Sequence, residues 1–328
     1  MCARFVGDQS QTSLIYESGT YANSSGAAQW IGMVQNANIT DDIGKMKLRY
    51  NAGNTRNVQQ FVDTIKKANA SFSYYPQNWK MLAFALGSCV DTSGTNSNHV
   101  ISETNSDNSN AYTSGTDAPF NSFTLEDAKR FNDTGLNHVK TMNGGMVDSM
   151  TINLPRGEPI TVDIESVGQN VVYSSGAASS VTASTTLQYL SQHASWSIPS
   201  GTAINEINDG TITINNNIQA EPFQNGSNVV YLPYPGNRDY TIDLGIDGNT
   251  NWSKNFYDKY FKGGSEFNLF LRIAPSSTRY IELTFSGCEV ENMDDPTTFE
   301  NAQEQRITIV PKVCSGYVRD RIVKYNPW

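Results

Sequence analysis

NASFSYYPQNWKMLAFALGS, residues 69–88, decides the fold. Phe72 and Tyr74 alternate with Ser71, Ser73 and Tyr75, the period-two pattern of a half-buried strand. Pro76 has no N–H to give a ladder and ends that strand. Asn78 stands where an N-cap belongs, and Trp79, Leu82, Ala83 and Leu86 then fall at i, i+3, i+4 and i+7 as one apolar helical stripe. Gly87 closes the helix, as a residue free to take the left-handed conformation does. A helix of about three turns does not hold in isolation. Its stripe must lie on a sheet, so the sequence predicts a mainly β chain with a short flanking helix.

Upstream, residues 58–66 read as a strand that leads into this segment, and NAGNTRN, residues 51–57, is turn chemistry. Before the turn, Met46, Leu48 and Tyr50 alternate with Lys45, Lys47 and Arg49, giving one apolar and one cationic face. With Arg56 at the tip this is a long, polar-ended hairpin and a natural protrusion. Residues 1–30 are rich in Ser, Gln and Gly with isolated apolar residues such as Leu14, Ile15 and Trp30. They read as an arm that either frays as a terminus or orders on a neighbouring subunit.

Downstream, residues 90–119 read as a long polar surface loop. In residues 120–131, Thr124 and Asp127 imitate a capping box, while Phe120, Phe123 and Leu125 suit a strand ending near Glu126. Met150, Ile152 and Leu154, the turn PRGEP (155–159), and Ile160, Val162 and Ile164 make a hairpin. Residues 174–197 read as loop or edge; 212–214, 229–232 and 240–244 read as strands. NWSKNFYDKYFKG, residues 251–263, reads as a second short helix with Trp252 and Phe256 for its packing face, as Trp79, Leu82 and Leu86 serve the first. A hairpin about Pro275 and strands at 307–310 and 317–324 finish the chain.

Length suits two domains: the chain has 328 residues. Both helices open with Asn-Trp and end in Gly, and their starts lie 173 residues apart (251 − 78). That spacing predicts an internal duplication, with an arm at 1–30, a first half at 31–145 and a second half at 146–328. Apolar content is 38% and aromatic content 11%, with a net charge of −9. This composition suits many strands joined by turns, and its sign suits a surface that repels phosphate rather than one that grips nucleic acid. Cys2, Cys89, Cys288 and Cys314 are too few for a disulfide framework and read as free thiols, with a Cys288–Cys314 bridge as the alternative. No stretch approaches the roughly 20 apolar residues of a membrane span. Residues 1–16 hold no apolar run of signal-peptide length, which predicts a chain made and kept soluble in a cytoplasm, at least until assembly.

The order of these features resembles that of the tail tube (major tail) proteins of tailed phages and tailed archaeal viruses. The residues that carry the resemblance are WIG (30–32), ASFSYY (70–75), NWKMLAFALG (78–87), HVISET (99–104), GGMVDSMTI (144–152), RGEP (156–159), NNN (215–217), GNRDY (236–240) and YDKYFKG (257–263). The resemblance implies an antiparallel β-sandwich with a flanking helix, whose inner sheets join across subunits into a β-barrel channel. It implies a virion protein of the tail tube whose partners are copies of itself, other tail proteins at the tube ends, and double-stranded DNA that passes without specific binding. With a duplicated chain, three copies give a pseudo-hexameric ring, the alternative being a hexameric ring; rings then stack. Lys45, Lys47, Arg49 and Arg56 belong to the hairpin that reaches the next ring, or else to a solvated strand face. Asp163, Glu165, Thr241 and Asp243 oppose the apolar parity of their strands and are the expected channel-lining residues, the alternative being the outer face.

Motifs for catalysis, cofactors and metals give little. His99, His138 and His193 lie far apart and read as loop histidines. No GxSxG, HExxH, P-loop or GxGxxG occurs. Asp247, Asn249 and Asn251 imitate the start of a calcium loop, but Trp252 stands where such a loop needs Gly. The expectation is a structural, non-enzymatic protein without cofactor or metal. The alternative is a glycan- or receptor-binding β-sandwich of a virion that stacks sugars on Trp196, Tyr231 and Tyr234.

Overall fold

The structure is a computed structural model that describes residues 5–17, 21–24, 26–48, 58, 60–92, 97–103, 122–131, 137–198, 202–220, 228–230, 233–247, 254, 256–294, 304–322 and 325. In chain order its elements are β1 (Phe5–Tyr16), β2 (Ala28–Gln29), β3 (Gly32–Leu48), β4 (Gln60–Pro76), α1 (Lys80–Leu86), β5 (Gly87–Thr92), β6 (Ser97–Glu103), β7 (Phe123–Phe131), β8 (Asn137–Leu154), β9 (Thr161–Gly168) and β10 (Asn170–Ser174). Then follow β11 (Ala194–Ile198), β12 (Thr202–Ile204), β13 (Ile207–Asn215), β14 (Asp239–Asp247), a π-helical turn (Phe256–Phe261), β15 (Phe267–Ser276), β16 (Arg279–Asp294), β17 (Glu304–Val310) and β18 (Val313–Asp320).

The described strands pair antiparallel in three sets. A central sheet runs β3-β4-β9-β8-β13-β14-β17-β16. One flanking sheet runs β2-β1-β7-β8-β10. The other runs β12-β11-β15-β16-β18-β6-β5. Two long strands serve two sheets each. β8 turns from the first flanking sheet into the central one at Gly144, φ +68°, and β16 turns from the second flanking sheet at Gly287, φ +62°. Only glycine takes that left-handed conformation without cost, so each strand can re-aim its two ends.

Strand 69–76 forms as read: Phe72 and Tyr74 are buried and Ser71 faces out. The helix differs from expectation. Every residue of α1 is buried, Lys80, Met81, Phe84 and Ala85 included, so the helix has no solvent face. Sheets meet it from several sides: Phe84 packs edge-on against Phe123 of β7 at 5.2 Å and beside Tyr16 of β1 at 5.7 Å, while Leu82 lies beneath Gly316 of β18. The helix starts at Lys80 with Trp79, not Asn78, at its N-cap; Asn78, one residue earlier, accepts the Lys80 N–H at 3.2 Å, and Gly87 closes the helix at φ +97°.

Several sequence expectations are corrected. Residues 90–92 and 97–103, placed in a polar loop, belong to the paired strands β5 and β6, because Cys89, His99 and Ile101 are buried on one parity while Val90 and Val100 face out. β7 runs to Phe131 rather than ending near Glu126, and residues 104–121 lie outside the described ones. Val229 contributes an isolated bridge to Lys66 rather than a strand. The second helix is π-helical over Phe256–Phe261, the Lys262 N–H reaching back to the Tyr257 carbonyl at 2.8 Å. Residues 5–16, assigned to an arm, form β1 hydrogen-bonded to β7 of the same chain, with Leu14 fully buried. β8 runs unbroken across residue 145. Cys89, Cys288 and Cys314 are free thiols, so the Cys288–Cys314 bridge does not form.

Candidate functional site: the polar face of the central sheet

The central sheet has two chemically opposite faces, and strand alternation makes both. On one face Phe72, Ile164, Ile152, Ile212, Ile242 and Ile309 are buried. On the other, β9 presents Thr161, Asp163 and Glu165; β8 presents Ser149, Thr151 and Asn153; β13 presents Thr211 and Thr213; β14 presents Thr241 and Asp243; β17 presents Thr308. Cross-strand register sets these in rows. Ser73, Asp163, Thr151, Thr213 and Thr241 form one; Thr161, Asn153, Thr211, Asp243 and Thr308 form the next.

The rows are knitted by short polar contacts. Asn153 Nδ2 donates to Asp163 Oδ2 at 2.7 Å, Thr308 Oγ1 donates to Asp243 Oδ1 at 2.6 Å, and the Thr151 and Thr213 hydroxyls lie 3.5 Å apart. Arg306 is held by Asp209 at 2.5 Å and by Glu304 at 2.6 Å. The Asp209 hydrogen bond raises its pKa. The face is thus hydroxyl- and carboxylate-rich, and the cations it carries at Arg306 and Lys67 are met by carboxylates, Lys67 by Asp42 at 3.9 Å. Such a surface repels a polyanion and gives it no ladder of cations to settle on.

All four expected lining residues, Asp163, Glu165, Thr241 and Asp243, lie on this one face. Glu165 and Asp243 are exposed and the other two half-buried. The contributions of β8, β13 and β17 were not named from sequence, although TITIN (211–215), MTINL (150–154) and ITIV (307–310) carry the same alternation of Ile with Thr or Asn. Lys45 and Lys47 are exposed on the β3–β4 hairpin, where Lys45 meets Asp63 at 4.0 Å and Lys47 stands opposite Phe61. Arg49 and Arg56 lie outside the described residues. Trp79, Leu82, Leu86 and Phe256 are fully buried; Trp252 lies outside the described residues.

A second polar cluster lies away from this face. His99, read as a loop histidine, is fully buried, with Nδ1 2.7 Å from Asp91 Oδ1 and Nε2 3.2 Å from Asp320 Oδ1. Tyr325 stacks on the imidazole at 3.9 Å, donates to Asp320 at 2.5 Å, and accepts the Trp79 N–H at 2.9 Å. Burial opposes protonation of His99, but the bonds to Asp320 and Asp91 outweigh it and its pKa is raised. Burial pushes the nearby Lys80 ammonium down to about 8. Cys89, Asp91 and His99 bring three ligand-type atoms within 4.8 Å of one another. Asp91 is also bonded by the Tyr325 N–H at 2.9 Å, so this carboxylate is committed to fastening the chain's last described residue over the β5–β6 hairpin.

The sugar-stacking alternative loses one of its three aromatics here: Trp196 is buried on β11, and Tyr231 lies outside the described residues. No described helix is long and apolar enough to cross a membrane. In comparison with known families, the model of a family described as phage tail tube protein matches residues 20–309. No curated protein matches the chain.

Proposed function

The chain belongs to the phage tail tube protein family, a structural component of the virion tail, and from that premise we propose that it forms rings that stack into a channel for double-stranded DNA. The observation that carries this reading is the central sheet. It has one apolar face against the protein, one face of hydroxyls and carboxylates, and at each end a stretch, β3 and residues 289–294 of β16, that pairs on one side alone among the described residues. A sheet with open ends is an aggregation hazard unless it closes, and closure around an axis removes both ends at once. A head-to-tail contact of this kind gives a ring when its rotation closes.

Strand order supports three copies per ring. β3-β4-β9-β8 is followed by β13-β14-β17-β16, the same connectivity twice, so each chain supplies two four-stranded units and three chains supply six. The units extend into the flanking sheets: β1 and β2 correspond to β11 and β12, β7 to β15, β10 to β18, and α1 to the π-helical turn. On this reading the division of the chain falls between β10 and β11 rather than at 145/146, and residues 5–16 belong to the first unit instead of to an arm. Three copies carry 3 × (−9) = −27 charges, enough to keep DNA from adhering. The β3–β4 hairpin, with Lys45 and Lys47, reaches toward the next ring. Assembly takes place in the host cytoplasm, with other tail proteins at the tube ends. The role is mechanical and electrostatic rather than catalytic.

Cryo-electron microscopy of assembled tubes tests the reading. Asp163 and Asp243 are expected at the bore; finding both on the outer wall overturns the assignment of this face to the channel.

A further inference from the structure

The two strand series match at their turning glycines and bulges. Gly144 and Gly287, where β8 and β16 turn between sheets, are 143 residues apart (287 − 144). Beyond each glycine comes one bulge, between Val147 and Ser149 against β9 and between Val290 and Asn292 against β17, at the same separation (290 − 147). β10 and β18 begin at that separation too (313 − 170). The first strand of each series also carries a bulge, β3 between Val34 and Asn36 and β13 between Ile207 and Asp209, here 173 residues apart (207 − 34). Bulges locate register, since one extra residue exchanges the faces of everything beyond it.

One pairing in the central sheet joins the two series, β8 to β13, with Thr151 opposite Thr213 and Ser149 opposite Asn215. Its counterpart would join β16 to β3. Within one chain these strands stand at opposite ends of the sheet, so the pairing is available only to a second copy. We propose, on the ring reading above, that β16 of one subunit pairs antiparallel with β3 of the next in the register of β8 on β13. Counting from the bulges, Thr40 then lies opposite Asp294 and Asp42 opposite Asn292 of the second copy. The internal junction is the template for the external one.

The chemistry of both strands suits this. The directly opposed pairs contain no like charges. Asp41 and Asp42 already meet Lys66 and Lys67 at 3.8 and 3.9 Å, so their charge is partly balanced before the second strand arrives. A slip of one residue would carry Met293 onto the polar face and Asn292 off it, which burial on the opposite face forbids. In the single chain Lys140 Nζ reaches the Ile39 carbonyl at 3.3 Å, a contact that the incoming strand shares or displaces.

The test is disulfide trapping in assembled particles of the full chain. Thr40→Cys combined with Asp294→Cys is expected to cross-link most chains under mild oxidation, giving covalent closed oligomers that reductant returns to monomers. Either single variant and the unsubstituted chain assemble but run as single chains on a denaturing gel. Thr151→Cys with Thr213→Cys is the intrachain control, and Asn38→Cys with Asp294→Cys is the out-of-register pair. Cross-linking of the out-of-register pair, or rings by negative-stain microscopy with no cross-link in the first pair, overturns this inference and leaves the tube reading standing. Failure of the unsubstituted chain to form rings or tubes overturns both.

Discussion

α1 stands between β4 and β7 and the π-helical turn between β14 and β15, yet one is sealed and the other is half open. Every residue of α1 is buried. In the turn, Phe256 and Tyr260 are buried beside Phe267, at 5.7 and 4.4 Å, while Tyr257 and Phe261 face out. What separates them is an addition. Between α1 and β7 the chain inserts the β5–β6 hairpin, which pairs with β18 and is fastened by His99, Asp320 and Tyr325. Between the turn and β15 there are only residues 262–266. The lesson is that position in the scaffold fixes where a helix sits, while the segments laid over it fix how much of it is core.

The largest test of this contrast is truncation. Trp79→Ala is expected to destabilise by about 4 kcal/mol and Phe256→Ala by about 3 kcal/mol, because both side chains are wholly buried. Tyr257→Ala should stay within about 0.5 kcal/mol. Urea midpoints measure all three, and a loss at Tyr257 equal to that at Trp79 would break the contrast.

The two turning glycines come next. Alanine at either pays about 1–2 kcal/mol for the left-handed backbone. At Gly144 the new Cβ also meets the Tyr21 ring at 2.5 Å, whereas at Gly287 it meets the flexible Lys312 stem at 2.8 Å. Gly144→Ala should therefore lower the melting temperature clearly more than Gly287→Ala; the reverse order would mean the two turns are not built alike.

A smaller effect is pH-dependent and belongs to the sealed helix alone. The folded His99 pKa is raised, so its contribution is fully present below the unfolded value of about 6.5 and is lost as pH rises through the higher folded value. Denaturation midpoints should fall across that window, and His99→Gln should flatten the fall. A profile unchanged by the substitution would separate the histidine from the clasp. Smallest of all, burial pushes the Cys288 thiol up to about 12, so thiol reagents at pH 8 should modify it only after denaturation. Ready labelling of the folded protein would show that the second flanking sheet opens there.

Much of the fold was legible in residues whose environment follows from their neighbours in sequence. The alternation at 72–75, 150–154 and 160–164 gave strands of the right parity, and Gly87 gave the helix end. The polar positions Asp163 and Asp243 were visible because each opposes an apolar run on its own strand. What escaped was set by contacts distant in sequence. The β5–β6 hairpin was hidden because its short apolar parity includes a histidine and a cysteine, polar or ambiguous by type and buried only because Asp91 and Asp320 meet the imidazole. β1 was hidden because its apolar residues sit only at its two ends, Phe5 and Val6 and then Leu14, Ile15 and Tyr16, and the burial of Leu14 depends on β7 more than 100 residues away (Leu14 opposite Leu125).

The sequence by itself determined which residues lie on the two faces of each strand, since alternation is a property of the extended backbone and needs no partner. It also determined where the chain must turn, through Gly and Pro. Only the tertiary structure decided which strands adjoin and that two of them cross between sheets at Gly144 and Gly287. Those outcomes follow from pairings that close long loops, and no local pattern encodes the partner at the far end.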